Sequence, residues 1–281
     1  MNTSKQILII GAGPAGTFAA LAARKQDPAA RVSLLSEEYC EPYEKPPLSK
    51  AVLLGKVKAS DALIAGPAGV TSQGVVLESH AQCSAIDRGA REVSLDDGRR
   101  LAYEALVIAT GSVAREIPQL PIGTPRVHYL RSERDAQALK GALTPDAKLL
   151  VVGGGLIGLE VVASATALGI QSTVLELAPR ILSRVCDEET GAILDATHRA
   201  RGVDLRVGTS LVSTSIAADG RIAVLTSAGD TILADLVVVG AGAKPRICGL
   251  STMADMRSVG IAARRELASW WRRNSSPDMP G

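Results

Sequence analysis

Two six-residue stretches hold the chemistry this sequence is equipped for: Gly11-Ala12-Gly13-Pro14-Ala15-Gly16 and Gly153-Gly154-Gly155-Leu156-Ile157-Gly158. A pyrophosphate is held well by exposed backbone N–H groups at a helix N-terminus, where orphan donors and the helix dipole both face the anion. That arrangement needs a turn without side chains in the way. Gly11 or Gly153 makes the turn, Gly13 or Gly155 admits the phosphates, and Gly16 or Gly158 lets the helix close on its strand. An acid follows each turn, Glu37 26 residues beyond Gly11 and Glu176 23 beyond Gly153, where it can accept a hydrogen bond from a ribose 2′-hydroxyl. Leu177-Ala178-Pro179 after Glu176 offer no base to neutralise a 2′-phosphate, so the second site is expected to prefer NADH to NADPH. Arg180 and Arg184 lie close enough in sequence to weaken that preference.

These residues are useful only if strands and helices present them, and the sequence writes the same elements twice. Ile7–Ile10 and Leu149–Val152 are short β-rich runs before the glycine turns. Helix patterns follow over Thr17–Arg24 and Leu159–Leu168, and strands return to the acids through Val32–Leu35 and Thr173–Leu175. Hairpins come next, Glu92–Leu95 with a turn at Asp96-Asp97-Gly98, and Ile222–Leu225 with a turn at Ala228-Gly229-Asp230. Each half then closes on an apolar strand with small residues at its end: Leu106–Ile108 before Ala109-Thr110-Gly111, and Val237–Val239 before Gly240-Ala241-Gly242. The expected fold is therefore α/β, two Rossmann-like dinucleotide-binding domains, each with an antiparallel β-hairpin insertion. Domain boundaries are expected at 1–113, 114–240 and 241–281. Two such sites in one chain imply electrons passing between two dinucleotides, FAD in the first and NADH in the second.

Composition fits a globular protein. The 281 residues are 46% hydrophobic and 21% charged, which excludes a disordered chain. At 2% aromatic and a net charge of +2, neither stacking platforms for single-stranded nucleic acid nor a polyanion partner is indicated. Cysteines at 40, 83, 186 and 248 and histidines at 80, 128 and 198 have no metal-ligand spacing. The uncharged run Ile7–Ala23 contains the proline-bearing glycine turn, which interrupts a signal-peptide helix, and Leu149–Leu175 is broken by Glu160 and five glycines. A cytoplasmic protein without membrane association is expected.

From about residue 5 to about residue 245 the chain resembles the FAD-dependent ferredoxin reductases that feed Rieske dioxygenases and bacterial P450 systems, within the two-dinucleotide flavoprotein reductases. The most specific element is Pro42-Tyr43-Glu44-Lys45-Pro46-Pro47-Leu48-Ser49-Lys50, similar to the family's Tyr-Glu-Arg-Pro-Pro-Leu-Ser-Lys with Lys45 in place of Arg. Ala109-Thr110-Gly111, Tyr129-Leu130-Arg131 and Gly155-Leu156-Ile157-Gly158-Leu159-Glu160 are further matches. The resemblance implies that Lys50 sits beside the flavin ring and that Glu160 faces Lys50 and the nicotinamide. It places Ala15 and Glu37 at the flavin nucleotide's pyrophosphate and ribose, Arg131 against that nucleotide, and Cys83 at its adenine through the backbone. It also implies hydride transfer from NADH to FAD and single electrons passed on to a [2Fe-2S] ferredoxin. Apart from the resemblance, Lys50 and Arg131 read as solvated surface charges and Cys83 as a core thiol.

The chain departs from the family after Val237–Gly242, where members continue through a Gly-Asp motif that holds the flavin and a C-terminal domain that covers it. Here both tryptophans and a charge of +4 fall in residues 244–281. A truncated or frame-shifted end is expected, or alternatively a lineage-specific helix over Met253–Arg273, with FAD binding weakened or lost. Two other functions remain open: a truncated nucleotide-binding protein without reductase activity, and a single-cysteine NADH oxidase or disulfide reductase relative. For the latter Cys40 is the candidate, but it follows Glu37 too closely to reach the flavin ring.

Overall fold

A computed structural model describes residues 4–246. Cys248, the helix considered over Met253–Arg273 and both tryptophans lie outside the described residues. The described residues divide into two compact units, one of residues 4–42, 64–111 and 246, the other of residues 43–63 and 112–245. The segment 43–63, which carries Lys50, therefore belongs with the second unit although it interrupts the first in sequence. Its short 3-10 turns have no periodicity from which that membership could be read.

In the first unit the elements run β1 (Gln6–Ile10), α1 (Pro14–Gln26), β2 (Arg31–Leu35), β3 (Val76–Glu78), β4 (Cys83–Asp87), β5 (Glu92–Leu95), β6 (Arg100–Ala102) and β7 (Ala105–Ile108). A parallel sheet forms in the order β3-β2-β1-β7. β1 is apolar from Ile7 to Ile10 because that part is covered on both faces, as parallel strands generally are. Its Leu8 and Ile10 pack with Val93 and Leu95 of the antiparallel sheet β4-β5-β6, whereas Ile9 faces Ala20 of α1 with Val32 and Leu34. Complete burial of Ile9 and Leu34 stabilises the unit by about 2 kcal/mol each. α1 begins at Pro14, whose missing N–H costs nothing in a first turn.

The second unit follows the same plan with more strands. Its elements are β8 (Ser112–Ala114), β9 (Val127–His128), α2 (Glu133–Ala142), β10 (Lys148–Val152), α3 (Leu156–Ala167), β11 (Gln171–Glu176), α4 (Glu188–Ala200), β12 (Asp204–Val207), β13 (Leu211–Ile216), β14 (Ile222–Thr226), β15 (Thr231–Ala234), β16 (Leu236–Val239) and β17 (Ala243–Pro245). The parallel order is β12-β11-β10-β16-β9, with an antiparallel sheet β13-β14-β15 and a separate pair β8-β17. Leu150, Leu175, Val237 and Val239 form a core with Ile222 and Val224 of the antiparallel sheet. Each hairpin expected from the sequence thus gains a third strand, β4 in one unit and β13 in the other.

In both parallel sheets the crossover through the glycine-turn helix goes to one side of the first strand, and the closing strand, β7 or β16, lies on its other side. This is a topological switch, the place where open α/β sheets bind ligands at the carboxyl ends of their strands.

Candidate dinucleotide sites

In the first unit, Gly11 follows β1 with a φ of +104°, a left-handed conformation that disfavours any side chain, and an added Cβ would collide with the Ala109 carbonyl beyond β7. Gly16 packs with its Cα against the Gly11 carbonyl, so the helix sits on its own turn. Gly13 differs. It is the N-cap of α1, with an extended backbone and no side-chain cap, and a Cβ built there would meet nothing within 4 Å. Ala15 is exposed in the same first turn. The open side of the cradle is therefore the one a phosphate would use.

The second unit repeats the geometry. Gly153 has a φ of +114°, and an added Cβ would lie 2.5 Å from the Gly240 carbonyl oxygen beyond β16. Gly158 closes against the Gly153 carbonyl, while Gly155, the N-cap of α3, has open space beside it. Ile157 is exposed in the first turn of the helix, and Gly242 stands just past Gly240 with a φ of +99°.

The acids are held differently. Glu176, at the end of β11, accepts hydrogen bonds from the Gly154 N–H at 2.6 Å and the Ala178 N–H at 2.7 Å, tying it to the glycine turn itself. Arg180 does not approach it as a phosphate ligand, since its guanidinium donates to four carbonyls of the following loop. Arg184 is exposed in that loop. In the first unit Glu37 Oε2 meets Arg246 Nη1 at 2.5 Å. Burial raises the Glu37 pKa above the usual carboxylate range, and Arg246 opposes that shift. Arg246 also bonds through its backbone to the Thr110 hydroxyl, at 2.8 Å, and to the Gly111 carbonyl, at 3.0 Å. Nothing in the sequence marked Arg246 as a neighbour of Glu37.

Within the second unit Lys50 and Glu160 meet. Lys50 Nζ lies 2.7 Å from Glu160 Oε1 and donates to the Pro46 carbonyl at 3.1 Å. Ser49 Oγ donates to Glu160 Oε2 at 2.5 Å, and Ser164, one turn after Glu160 on α3, donates to the Ser49 carbonyl at 2.7 Å. One turn of helix thereby grips the end of the Pro46–Ser49 3-10 turn through both its carboxylate and its hydroxyl. Sequence reading missed Ser49 and Ser164; the only signal was the adjacency of Ser49 to Lys50. Tyr43 is buried, and its hydroxyl accepts from the Glu133 N–H at the start of α2 and from Lys45 Nζ. Arg131 is exposed and bonded within the second unit, Nε to the Ser112 carbonyl at 3.0 Å and N–H to Asp135. Cys83 is buried at the start of β4 opposite Leu95, in the first unit.

Two cradles of one design, each closed by its own unit's strand, are thus present. The profile of the pyridine nucleotide-disulphide oxidoreductases matches residues 5–266. The chain belongs to this family. It is 40% identical over 256 residues to the ferredoxin–NAD(+) reductase component of the p-cumate 2,3-dioxygenase system of Pseudomonas putida, covering 91% of this chain and 62% of that one. With putidaredoxin reductase CamA of Pseudomonas putida the identity is 35%, over 92% of this chain and 62% of the relative. The crystal structure of the covalent putidaredoxin reductase–putidaredoxin complex superposes with a TM-score of 0.79 at 35% identity, covering 87% of this chain and 60% of that one. The chain thus spans about three fifths of the length of these relatives. Among the described residues no helix is long and apolar enough to cross a membrane, and no group of three or more His, Cys, Asp or Glu could hold a metal ion.

Proposed function

We propose that the chain carries the nucleotide-binding units of a flavoprotein oxidoreductase that passes electrons from NADH through FAD to a [2Fe-2S] ferredoxin of an oxygenase system. The observation that carries this reading is the pair of equivalent glycine cradles, each with open space beside its N-cap glycine and each in a family whose similar members are ferredoxin reductases. A dinucleotide pyrophosphate fits both, because the backbone N–H groups at the starts of α1 and α3 have no side-chain cap.

In the first unit Gly11, Gly13, Ala15 and Gly16 would hold the FAD pyrophosphate, Glu37 its ribose, and Thr110 and Gly111 the edge beside β7. Arg131 and the backbone of Cys83 are proposed flavin contacts on the strength of the family resemblance. In the second unit Gly153, Gly155, Ile157 and Gly158 would hold NADH, bounded by Gly240 and Gly242, with Glu176 at the ribose and Arg184 at the loop. When bound, FAD supplies the conversion of a two-electron hydride donor into single electrons. On the strength of the family resemblance, Lys50 would offer a cation where negative charge develops on reduction. Glu160 orients that cation, and Ser49 orients Glu160. NADH over NADPH is supported by the acidic Glu176 and by the engagement of Arg180 elsewhere. A cytoplasmic setting accords with the supply of NADH.

The absorbance spectrum of the purified protein tests the proposal. A flavin spectrum that bleaches on adding NADH and recovers as ferricyanide or a ferredoxin is reduced is the expected result. A colourless protein that still binds NADH would leave a nucleotide-binding chain without reductase activity.

A further inference from the structure

The guanidinium of Arg180 is the hub of the loop between β11 and α4. Nη1 donates to the carbonyls of Ile181 and Asp187, at 3.5 and 3.3 Å, and Nη2 to those of Ser183 and Cys186, at 3.4 and 3.0 Å. A planar fork with several donors can gather carbonyls that point in different directions, which a point charge cannot. The loop so gathered is docked on the second glycine turn. Leu182 donates its N–H to the Gly154 carbonyl at 2.9 Å while held in the left-handed region at a φ of +51°, and a Cβ added to Gly154 would lie 3.0 Å from Ile181 Cγ2. Val185 and Cys186 both return their N–H groups to the Leu182 carbonyl. Room for the guanidinium is provided by Gly191 on α4, where an added Cβ would lie 3.1 Å from Nη1. A glycine inside a helix is otherwise unfavourable.

We infer that Arg180 is a positioning residue for the second dinucleotide site. It folds residues 181–187 into one conformation, and that conformation, docked through Leu182 on the Gly154 carbonyl, holds the Gly153-Gly154-Gly155 turn so that Gly155 and the uncapped start of α3 stay open to the coenzyme. Its charge is spent on carbonyls of its own loop, so it neither recruits nor repels the coenzyme directly. The inference rests on the proposal that this cradle takes NADH, and it separates from that proposal because the loop can be read without any nucleotide.

The test uses the full chain with Arg180→Lys and Arg180→Gln, followed by backbone hydrogen exchange and by fluorescence titration with NADH and NADPH. The amides of Leu182, Val185 and Cys186 should exchange at least about tenfold faster in both variants, with Leu150 and Val151 of β10 unchanged. Dissociation constants for NADH should rise about tenfold in both, and the ratio of NADH to NADPH affinity should stay within about twofold of the wild type. Near-wild-type affinity in Arg180→Lys with loss in Arg180→Gln would show that the charge acts on the coenzyme and would overturn the inference. So would unchanged exchange at the three loop amides. If the wild type binds no NADH, the proposed function fails, and loop exchange alone decides the role of Arg180. Should β10 also lose protection, Gly191→Ala replaces the arginine variants; it crowds Nη1 while favouring α4, and the same loop amides should exchange faster, whereas unchanged rates would overturn the inference.

Discussion

Glu160 collects two donors from consecutive residues of one turn, Ser49 and Lys50, and the ion pair between Lys50 and Glu160 stays partly open, with side-chain exposures of 49% and 31%. A pair so exposed contributes less than about 1 kcal/mol to stability. Removing the cation therefore leaves the fold in place and tests chemistry alone. Under the proposed role of Lys50 beside the flavin, Lys50→Ala should slow reduction of bound flavin by NADH about 100-fold in stopped-flow absorbance, with an unfolding midpoint close to wild type. A rate within twofold of wild type would remove Lys50 from the reaction. How much of this cluster was legible depends on the residue. Lys50 and Glu160 stand out only through the resemblance of Pro42–Lys50 and Gly155–Glu160 to a family, since by residue type alone a lysine is a surface charge. Ser49 was invisible in its role because its bond to Glu160 joins residues 111 apart in sequence, and no local pattern encodes such a contact.

At the scale of elements, strands covered on both faces and glycine-punctuated helix starts are the features a sequence writes most clearly. β7 and β16 are wholly apolar, β1 and β10 are apolar after one polar first residue each, and the structure places all four within a residue or so of where the apolar runs lie. The third strands of the antiparallel sheets were not legible, because β4 and β13 are largely exposed and lack a clean alternation. The short strand β9 was hidden for another reason: it has two residues, of which Val127 is buried and His128 half-buried beside Val238 in register. His128 makes a testable contribution there. Burial lowers its pKa below the ordinary histidine range, only partly opposed by Asp135. The unfolded chain thus holds a proton at pH values where the folded chain has released it, and stability falls as pH drops through that window. Burial also lowers His198 on α4, with Arg201 adding to the effect. Urea midpoints measured from about pH 7.5 to about pH 5.5 should decline less steeply in His128→Gln than in wild type. An equal slope in the variant would mean that His128 titrates no differently in the folded chain.

For the whole molecule, the design is one cradle per unit, and each is built from that unit's own first strand, helix and closing strand. Gly11 abuts the residues after β7, and Gly153 those after β16. Residues 43–63 show that chain order and unit membership differ, since they interrupt the first unit in sequence and belong with the second. Because each cradle is complete within its unit, a lesion in one should leave the other binding. The N-cap glycines are the positions to use. Gly13 and Gly155 have φ of −74° and −85°, which any residue adopts, and open space where a Cβ would go, so alanine there meets no clash and costs only the weaker capping of alanine, about 0.5–1 kcal/mol. The added methyl instead projects into the side from which a pyrophosphate would approach the helix N-terminus. Gly13→Ala should reduce the flavin content of the purified protein severalfold and leave the NADH dissociation constant within about twofold, whereas Gly155→Ala should raise that constant about tenfold and leave flavin content unchanged. Gly16→Ala and Gly158→Ala are the contrasting pair, for their methyls would strike the carbonyls of Gly11 and Gly153 and lower stability by about 1–3 kcal/mol. Spectra of the four variants, with NADH titrations and urea midpoints, distinguish binding lesions from folding lesions. Loss of NADH binding in Gly13→Ala at an unchanged midpoint would show that the two cradles are not independent.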